Sequence, residues 1–564
     1  MSSRKKNKKK GVELTASDVL DFLLRTVVSA YCFIFFIAMP LFYHNKYYDI
    51  GDFKYKMFMY LTVTFLSSAF LLLFCYLIYL ISQRKITLAS VRNAINSMSV
   101  TDCMVLAFAV ISIMSFVFSP NRTSDYPTFF LLKGGEETPV VNLPWEGYSG
   151  WNMGLRSQLM FVAIYFLVSR FFMKSWKNDL LRIMLASAFI VFFLGVLNRF
   201  HVDPLDVYKD LSEFYVNRFL STLGQATWYS SFMVVLLPVG MALFLYNDDH
   251  KSIANILLTC YVAIGGATFV TQNSDSAYPA FAGIIVVMFA VSFESNERFL
   301  KFIEMMIIML GAMKIVGIFQ MIFPERLTEL DSLSLFVSQS PLTFVLLFVL
   351  IGLFILIWKK AGKGSFDITR YKKVRNIIIA CIIACIPLGI TVGYLNTKGL
   401  LPTDALKGVE YLTFNDNWGN NRGYTWRNTV EVMKEPLWRK MALTGPGPDC
   451  YPTVIYASEE RATALYSFWN GEIVVCAHNE WLNMLFNEGI MGFITYTGIF
   501  VSAFIAFARR PGSAVTTAGM AAILGYFLHN MFCYQQILCT PMIFCVIALC
   551  CFALREQDRN VKTG

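Results

Sequence analysis

The sequence predicts an all-α, polytopic transmembrane helix bundle, and two observations lead to this fold class. Of the 564 residues, 56% are hydrophobic and only 15% are charged, whereas soluble domains carry about 25% charged residues. The apolar residues also occur in runs of about 20, the length that crosses a hydrocarbon core roughly 30 Å thick. Because backbone polar groups in lipid must be satisfied within the segment, we expect each run to be a helix.

The hydropathy pattern predicts about fourteen spans. It divides the chain into a basic tail (1–21), helices 1–11 (22–395), a large loop with helical segments (396–483), helices 12–14 (484–554) and a second tail (555–564). The predicted spans are 22–43, 57–82, 103–119, 157–173, 180–197, 227–246, 253–271, 278–293, 302–320, 342–358, 377–395, 485–508, 515–535 and 538–554.

The basic residues predict the orientation. Lysine and arginine in short loops mark the cytoplasmic side of a membrane protein. We therefore attribute the net charge of +10 to the membrane topology, and we expect no nucleic-acid partner. We expect a protein of the plasma or inner membrane with both termini cytoplasmic and the large loop extracytoplasmic. The residues that mark the cytoplasmic side include the stretch 4–10, Arg84, Lys85, Arg92, Lys174, Lys177, Lys251, the cluster over 359–375, Arg509, Arg510 and Arg555.

The large loop ends in the strongest local pattern, which starts at His478 and Asn479 and continues to Gly489 and Gly492. His478 stands at the predicted start of a helix, where a charged imidazolium is disfavoured. A neutral imidazole suits a general base. The alternative is an interfacial histidine that hydrogen-bonds the loop backbone. Small residues at 489 and 492 permit a close approach between helices.

A short amphipathic helix is predicted upstream, over 421–433, and Pro436 ends it. Arg422 and Trp426 lie one turn apart on one face of this helix. Arg427 and Glu431 have the spacing of a surface ion pair, which is the alternative to a ligand-binding role for Arg427.

Two further segments carry candidate residues. Gly445 and Gly447 alternate with prolines, which is typical of a tight turn with an exposed backbone. Arg218 lies just outside the sixth predicted span, where an arginine requires an anionic partner. That partner is either a lipid phosphate or a substrate phosphate.

The sequence predicts no cofactor and no metal. It contains no Walker A motif, Rossmann fingerprint or zinc-ligand spacing, and Asp49 and Asp52 are poorly spaced for metal binding. Most of the thirteen cysteines fall within predicted spans, where a thiol behaves as a small apolar group. Cys450 and Cys476 lie in the large loop and form either a disulfide or two free thiols.

Taken in order, these motifs resemble the O-antigen ligase and polymerase family of membrane glycosyltransferases, which has a GT-C-like fold. The chain departs from the family pattern in two places, where Gln225-Ala226-Thr227 replaces asparagine-proline-asparagine and Ser274-Asp275-Ser276 replaces serine-arginine-glycine. The matching residues are His478, Asn479, Gly489 and Gly492; Arg422, Trp426, Gly445 and Gly447; and the segment from Arg218 to Gly224.

The resemblance implies that a glycan is transferred from a polyprenyl-pyrophosphate carrier to a hydroxyl of a glycan, glycolipid or protein acceptor, without a nucleotide or other cofactor. His478 would be the general base, while Arg218 and Arg422, with Arg427 in reserve, would bind the pyrophosphate. Ligase-type transfer is the first interpretation, and a repeat-unit polymerase or a protein O-oligosaccharyltransferase is the alternative. A transporter is the competing class. Transporters have ionisable residues deep within their spans or inverted repeats. Here Lys314 and His529 are the main ionisable residues within predicted spans, and no inverted repeat is evident.

Overall fold

The computed structural model describes residues 15–122, 130–133, 136–139, 143–328, 330–401, 406 and 409–563. The basic stretch predicted at residues 4–10 lies outside these ranges, as does part of the segment between the third and fourth predicted spans. Nearly all of the described secondary structure is helical, as the composition predicts.

The long helices follow the predicted spans. They are α1 (Ala16–Leu41), α2 (Ile50–Ser82), α4 (Val100–Phe118), α5 (Leu155–Phe171), α6 (Lys177–Arg199), α8 (Ala226–Leu245), α9 (Ile253–Thr271), α10 (Ala277–Ser292), α11 (Asn296–Ile322), α13 (Pro341–Gly362), α14 (Lys372–Thr397), α19 (Glu480–Ala508), α20 (Ala514–His529) and α21 (Thr540–Thr563).

Shorter elements connect these helices. The described residues include two antiparallel strand pairs, β1 (Phe130–Lys133) with β2 (Glu136–Pro139) and β3 (Phe219–Leu220) with β4 (Gly224–Gln225). The short helices are α3 (Leu88–Asn96), α7 (Glu213–Val216), α12 (Ser332–Gln339), α15 (Trp418–Lys434), α16 (Pro436–Lys440), α17 (Tyr451–Ile455) and α18 (Glu459–Phe468).

Within the described residues, eleven helices are long and apolar enough to cross a membrane, counting short 3₁₀ turns that precede α6 and α14. Two shorter apolar helices, α10 and α20, and the 17-residue α5 occupy the other three predicted spans. The all-α, polytopic membrane class is therefore confirmed. The exact number of spans and the GT-C-like arrangement stay predictions.

The core of the bundle surrounds α8, in which nearly every side chain from Tyr229 to Leu245 is buried. The closest helix pairs are α4 with α19, α8 with α20, α10 with α20, α9 with α11, α1 with α2, and α5 with α21. The helices α13 and α14 lie at the periphery and expose long rows of apolar side chains. Apolar exposure of this extent is expected of helices that face lipid.

The chain between α14 and α19 folds over one end of the bundle and has a hydrophobic core of its own. Trp438, Tyr451, Ile455 and Leu465 are buried in this core, together with Phe486 from α19. The indole Nε1 of Trp438 donates to the carbonyl of Phe486 at 3.1 Å. This loop domain is therefore fixed to the first turns of α19, and we call the end of the bundle that it covers the loop end.

Candidate functional site

His478 lies at the loop end, directly before the first turn of α19. The side chain of Asn479 caps the helix by accepting from the amide of Leu482 at 3.0 Å. On the other side of His478, the amide of Ala477 donates to Asn483 Oδ1 at 3.1 Å. The predicted position of His478 at a helix start is therefore observed.

The backbone of His478 adopts a left-handed conformation, with φ of 49°, which is uncommon for a residue other than glycine. Its imidazole stacks on Trp469, with ring centroids 6.0 Å apart. It also meets the edge of Tyr534 at 5.4 Å. The fixed backbone and the two aromatic rings together set the direction of the imidazole.

The imidazole of His478 is uncharged at neutral pH. Burial lowers its pKa to about 3, and the neighbouring Arg422 guanidinium lowers it further. The expectation of a neutral imidazole rested on the helix N-terminus alone. In the structure the larger cause is the loss of hydration, followed by the positive charge of Arg422.

Arg422 lies at the start of the regular part of α15, after a break in which residues 419–421 have positive φ. Its Nε donates to the carbonyl of Phe532 at 3.1 Å, and its Nη1 donates to the carbonyl of Gly419 at 2.5 Å. Within the described part of the chain it forms no ion pair. The guanidinium is therefore held in place by neutral acceptors while its positive charge stays available to a ligand.

Trp426 joins the helix that carries Arg422 to the segment that carries His478. Its indole Nε1 donates to the carbonyl of Ala477, next to the histidine, at 2.9 Å. Its ring also packs against Trp418 and Phe532. Arg422 and Trp426 share one face of α15, as predicted, and this face contacts the site.

The segment after α20 completes the site, and the sequence interpretation missed it. The predicted span 515–535 treats it as helix, which is wrong, because α20 ends at His529. The residues that follow contact three parts of the site. The carbonyl of Asn530 accepts from the amide of Glu480 at 2.9 Å, and the carbonyl of Phe532 accepts from Arg422. The ring of Tyr534 touches His478. The signal that could have shown this is the polar pair Gln535-Gln536 inside an otherwise apolar run.

A buried polar network supports this segment from below. The carboxyl group of Glu480 accepts hydrogen bonds from Tyr496 at 2.6 Å, from Tyr526 at 3.0 Å and from Asn530. His529, which the sequence places near the end of a span, bonds Ser230 at 2.9 Å and Ser276 at 3.2 Å. These contacts tie α8, α10, α19 and α20 together beneath His478.

The predicted glycine turn is present and meets an interruption in α19. Gly445 has φ of 69°, and a Cβ there would lie 2.2 Å from the carbonyl oxygen of Asn487. The amide of Gly447 donates to that same oxygen at 3.0 Å. Only glycine permits this approach, so the turn at 445–447 fixes the loop domain to α19 two turns below His478.

The glycines at 489 and 492 do not act as predicted. Gly489 has φ of 67° and ψ of −168°, so it breaks α19 instead of bringing a second helix close. A Cβ at Gly489 would lie 2.6 Å from the carbonyl oxygen of Ala442, and one at Gly492 would meet Glu488 of the same helix. The close approach at Gly489 is to the backbone of the loop domain.

The other two predicted arginines are both exposed. Arg427 is 51% exposed and pairs with Asp416 at 2.7 Å, so its surface ion pair is with that residue and not with Glu431. Arg218 is exposed and precedes β3. The hairpin that follows it reaches the site through Gln225, whose Oε1 accepts from Tyr534 Oη at 3.2 Å.

Two remaining predictions concern loop residues. Cys450 and Cys476 are buried free thiols, so of the two alternatives the structure has no disulfide. Asp49 accepts hydrogen bonds from His44 and from the amide of Asn45. Asp275, at the position of the family's arginine, accepts from Tyr411 Oη at 2.9 Å, and its charge also acts on Arg422.

One comparison with known proteins supports the predicted family resemblance. Residues 327–497 match a protein-family model described as O-Antigen ligase. The matched range contains α12 to α18 and the first part of α19, and therefore His478, Arg422 and Trp426. No curated protein matches the chain. The resemblance predicted from the motifs is confirmed: residues 327–497 of this multi-pass membrane protein are similar to the O-antigen ligase family.

Proposed function

We propose that this chain transfers a glycan from a polyprenyl-pyrophosphate carrier to an acceptor hydroxyl at the extracytoplasmic face of the membrane. One observation carries the proposal: the same loop segment holds in one site an uncharged His478 and an Arg422 that forms no ion pair with any described residue. A base and a fixed cation are the two groups that such a transfer needs, because the diphosphate is already a good leaving group.

His478 acts as the general base. The acceptor hydroxyl gives its proton to the imidazole while its oxygen attacks C1 of the donor sugar. The bond from C1 to the diphosphate oxygen breaks, the diphosphate leaves with the electron pair, and the configuration at C1 inverts. A pKa of about 3 is low for a base. Binding of the diphosphate opposes the charge of Arg422, which raises the pKa of His478 towards the working range.

Arg422 stabilises the diphosphate as negative charge develops on it. A guanidinium matches phosphate oxygens in two-pronged geometry and remains charged at all working pH values. Arg218 is the second arginine that we assign to the donor, since its hairpin contacts the site through Tyr534. Arg427 ranks third, because Asp416 already neutralises it at an exposed position.

The identity of the acceptor distinguishes a ligase from a repeat-unit polymerase and from a protein O-oligosaccharyltransferase. We favour ligation, in which the completed glycan moves to a different molecule, over polymerisation, in which repeat units are joined. Deletion of the gene separates them: a ligase defect retains free lipid-linked polymer without attachment, whereas a polymerase defect accumulates single repeat units. A transporter would move the glycolipid without breaking its pyrophosphate bond.

The decisive assay mixes the purified protein with a polyprenyl-pyrophosphate glycan and an acceptor, and measures the released polyprenyl pyrophosphate. We expect His478→Ala to reduce the rate by about 10²–10⁴-fold, which is the usual contribution of a general base. His201→Ala is the matched control, because His201 is an exposed histidine with a similar left-handed backbone. Equal rates for the two variants, or transport without release, would refute the proposed chemistry.

A further inference from the structure

An apolar cavity of about 210 Å³ lies at the end of the bundle opposite His478, which we call the far end. The helix α19 runs from the loop end to Ala508, and α20 returns from Ala514 to His529. The cavity is lined by the first turn of α20 and the last turns of α21, which lie at the far end. The cavity is thus separate from the candidate active site.

The wall of the cavity is hydrocarbon. It is formed by Leu180 and Met184 on α6, by Leu243 on α8, and by Val546 and Leu549 on α21. A polar group bound against this wall would lose its hydrogen bonds to water without replacement. The wall therefore suits a hydrocarbon chain, and the volume accommodates a segment of one acyl chain.

The mouth of the cavity carries positive charge. Lys174 Nζ lies 3.6 Å from Glu556 Oε2, and the other oxygen of Glu556 accepts from Arg559 at 3.0 Å. Lys177 is partly buried at the same mouth, and it has neither a hydrogen bond nor an ion pair from its side chain to any residue that the structure describes. A cation at the membrane boundary without a partner favours an anionic ligand.

We propose that this cavity binds one anionic phospholipid, with an acyl chain between α6, α8, α20 and α21 and the phosphate group at Lys177 and Lys174. The apolar wall matches the acyl chain of such a lipid, and the cationic mouth matches its phosphate group. With the predicted orientation, the lipid comes from the cytoplasmic leaflet. A bound lipid would join the starts of α6 and α20 to the end of α21. The proposal does not depend on glycan transfer.

Native mass spectrometry of the full-length protein in detergent tests the site. The probes are a phosphatidylglycerol and a phosphatidylcholine with identical acyl chains. We expect one phosphatidylglycerol to be retained in preference to phosphatidylcholine, and Lys177→Gln to weaken its binding by about fivefold. Ala553→Phe, which fills the cavity from a partly exposed position, should reduce binding of both lipids.

Lys251→Gln is the matched control. Lys251 is an exposed lysine in the connection between α8 and α9 at the far end, and it does not line the cavity. It should leave phosphatidylglycerol binding unchanged. Equal retention of the two lipids by the unmodified protein, or equal losses in Lys177→Gln and Lys251→Gln, would overturn the proposal. Glycan transfer measured at the loop end is a separate readout, so failure of the lipid site leaves that activity untouched.

Discussion

At His478 three local features act on one side chain: a left-handed backbone, two flanking aromatic rings and a nearby guanidinium. None of these features places a negative charge next to the imidazole. The ring therefore stays neutral and oriented before substrate arrives. Such preorganisation reduces the reorganisation that the reaction itself requires.

The low pKa of His478 predicts a pH dependence of stability. The free imidazole has a pKa of 6.5, and the folded protein lowers it to about 3. The unfolded chain therefore binds the proton more readily, and stability is lost as the pH falls from about 6.5 towards 3. We expect the melting temperature of the unmodified protein to fall more than that of His478→Gln between pH 7 and about pH 4.5. Parallel melting curves over this range would contradict the lowered pKa of His478.

The two neighbouring arginines of α15 should differ sharply. We expect Arg422→Ala to lower the rate of pyrophosphate release by about 10²–10³-fold, as removal of one electrostatic stabiliser does. Arg422→Lys should recover only part of the rate, because an ammonium group lacks the planar fork. Arg427→Ala should leave the rate nearly unchanged, since it removes an exposed ion pair. A larger loss for Arg427 than for Arg422 would reverse our assignment.

At the scale of elements, the site exists because α15, α19 and the segment after α20 meet at one place. Each is held by a hydrogen bond to a backbone carbonyl: Trp426 Nε1 donates to Ala477, Arg422 Nε to Phe532, and the amide of Glu480 to Asn530. Backbone acceptors do not change with side-chain replacement. The relative positions of the base and the cation therefore depend on where these elements begin and end.

Trp426→Phe tests the link between α15 and the His478 segment. The variant keeps an aromatic ring but loses the hydrogen bond to Ala477, so we expect the free energy of unfolding to fall by about 1 kcal/mol. We also expect a lower transfer rate than in the control variant. Trp418→Phe is the control, because it removes an indole bond of the same kind to the carbonyl of Tyr411, 3.1 Å away. Chemical denaturation and the release assay measure the two effects. Equal rate losses in both variants would show that Trp426 has no special positioning role.

Gly489→Ala tests the break in α19. The backbone conformation at Gly489 is nearly exclusive to glycine, and the new Cβ would lie 2.6 Å from a carbonyl oxygen. We expect a loss of at least about 2 kcal/mol, measured as a lower melting temperature. Gly311→Ala, in α11 where a Cβ meets nothing within 4 Å, should be neutral or stabilising. A stable Gly489→Ala protein would mean that α19 is not anchored to the loop domain there.

At the scale of the whole molecule, the bundle separates two chemistries at its opposite ends. The loop end has a folded domain above a buried polar network, whereas the far end has an apolar cavity with lysines at its mouth. The helices α19, α20 and α21 extend between the two ends. The orientation of these helices across the membrane decides on which side the reaction takes place.

Reporter fusions test the orientation. Alkaline phosphatase inserted at the exposed turn near Glu472 should be active, because the loop end is predicted to be extracytoplasmic. The same enzyme fused after residue 564 should be inactive, while a fluorescent protein fused there should fold and fluoresce. The reverse pattern would place His478 in the cytoplasm and remove the proposed access to an extracytoplasmic acceptor.

Hydropathy and spacing by themselves determined the membrane class, a helix at each predicted span, and the grouping of His478, Arg422 and Trp426 as candidates. These properties follow from local composition and from helical periodicity, which act over a few turns of one segment. Orientation also rests on the sequence alone, through the distribution of lysine and arginine.

Only the tertiary structure decided which candidates meet. Arg422 and Arg427 lie five residues apart in one predicted helix. Arg427 pairs with Asp416, whereas Arg422 donates to the carbonyl of Phe532, more than a hundred positions away in the chain. The break at Gly489 and the end of α20 at His529 also depend on backbone contacts between distant segments. Such contacts leave no periodic pattern in the chain, because the packing of separate elements selects the partner.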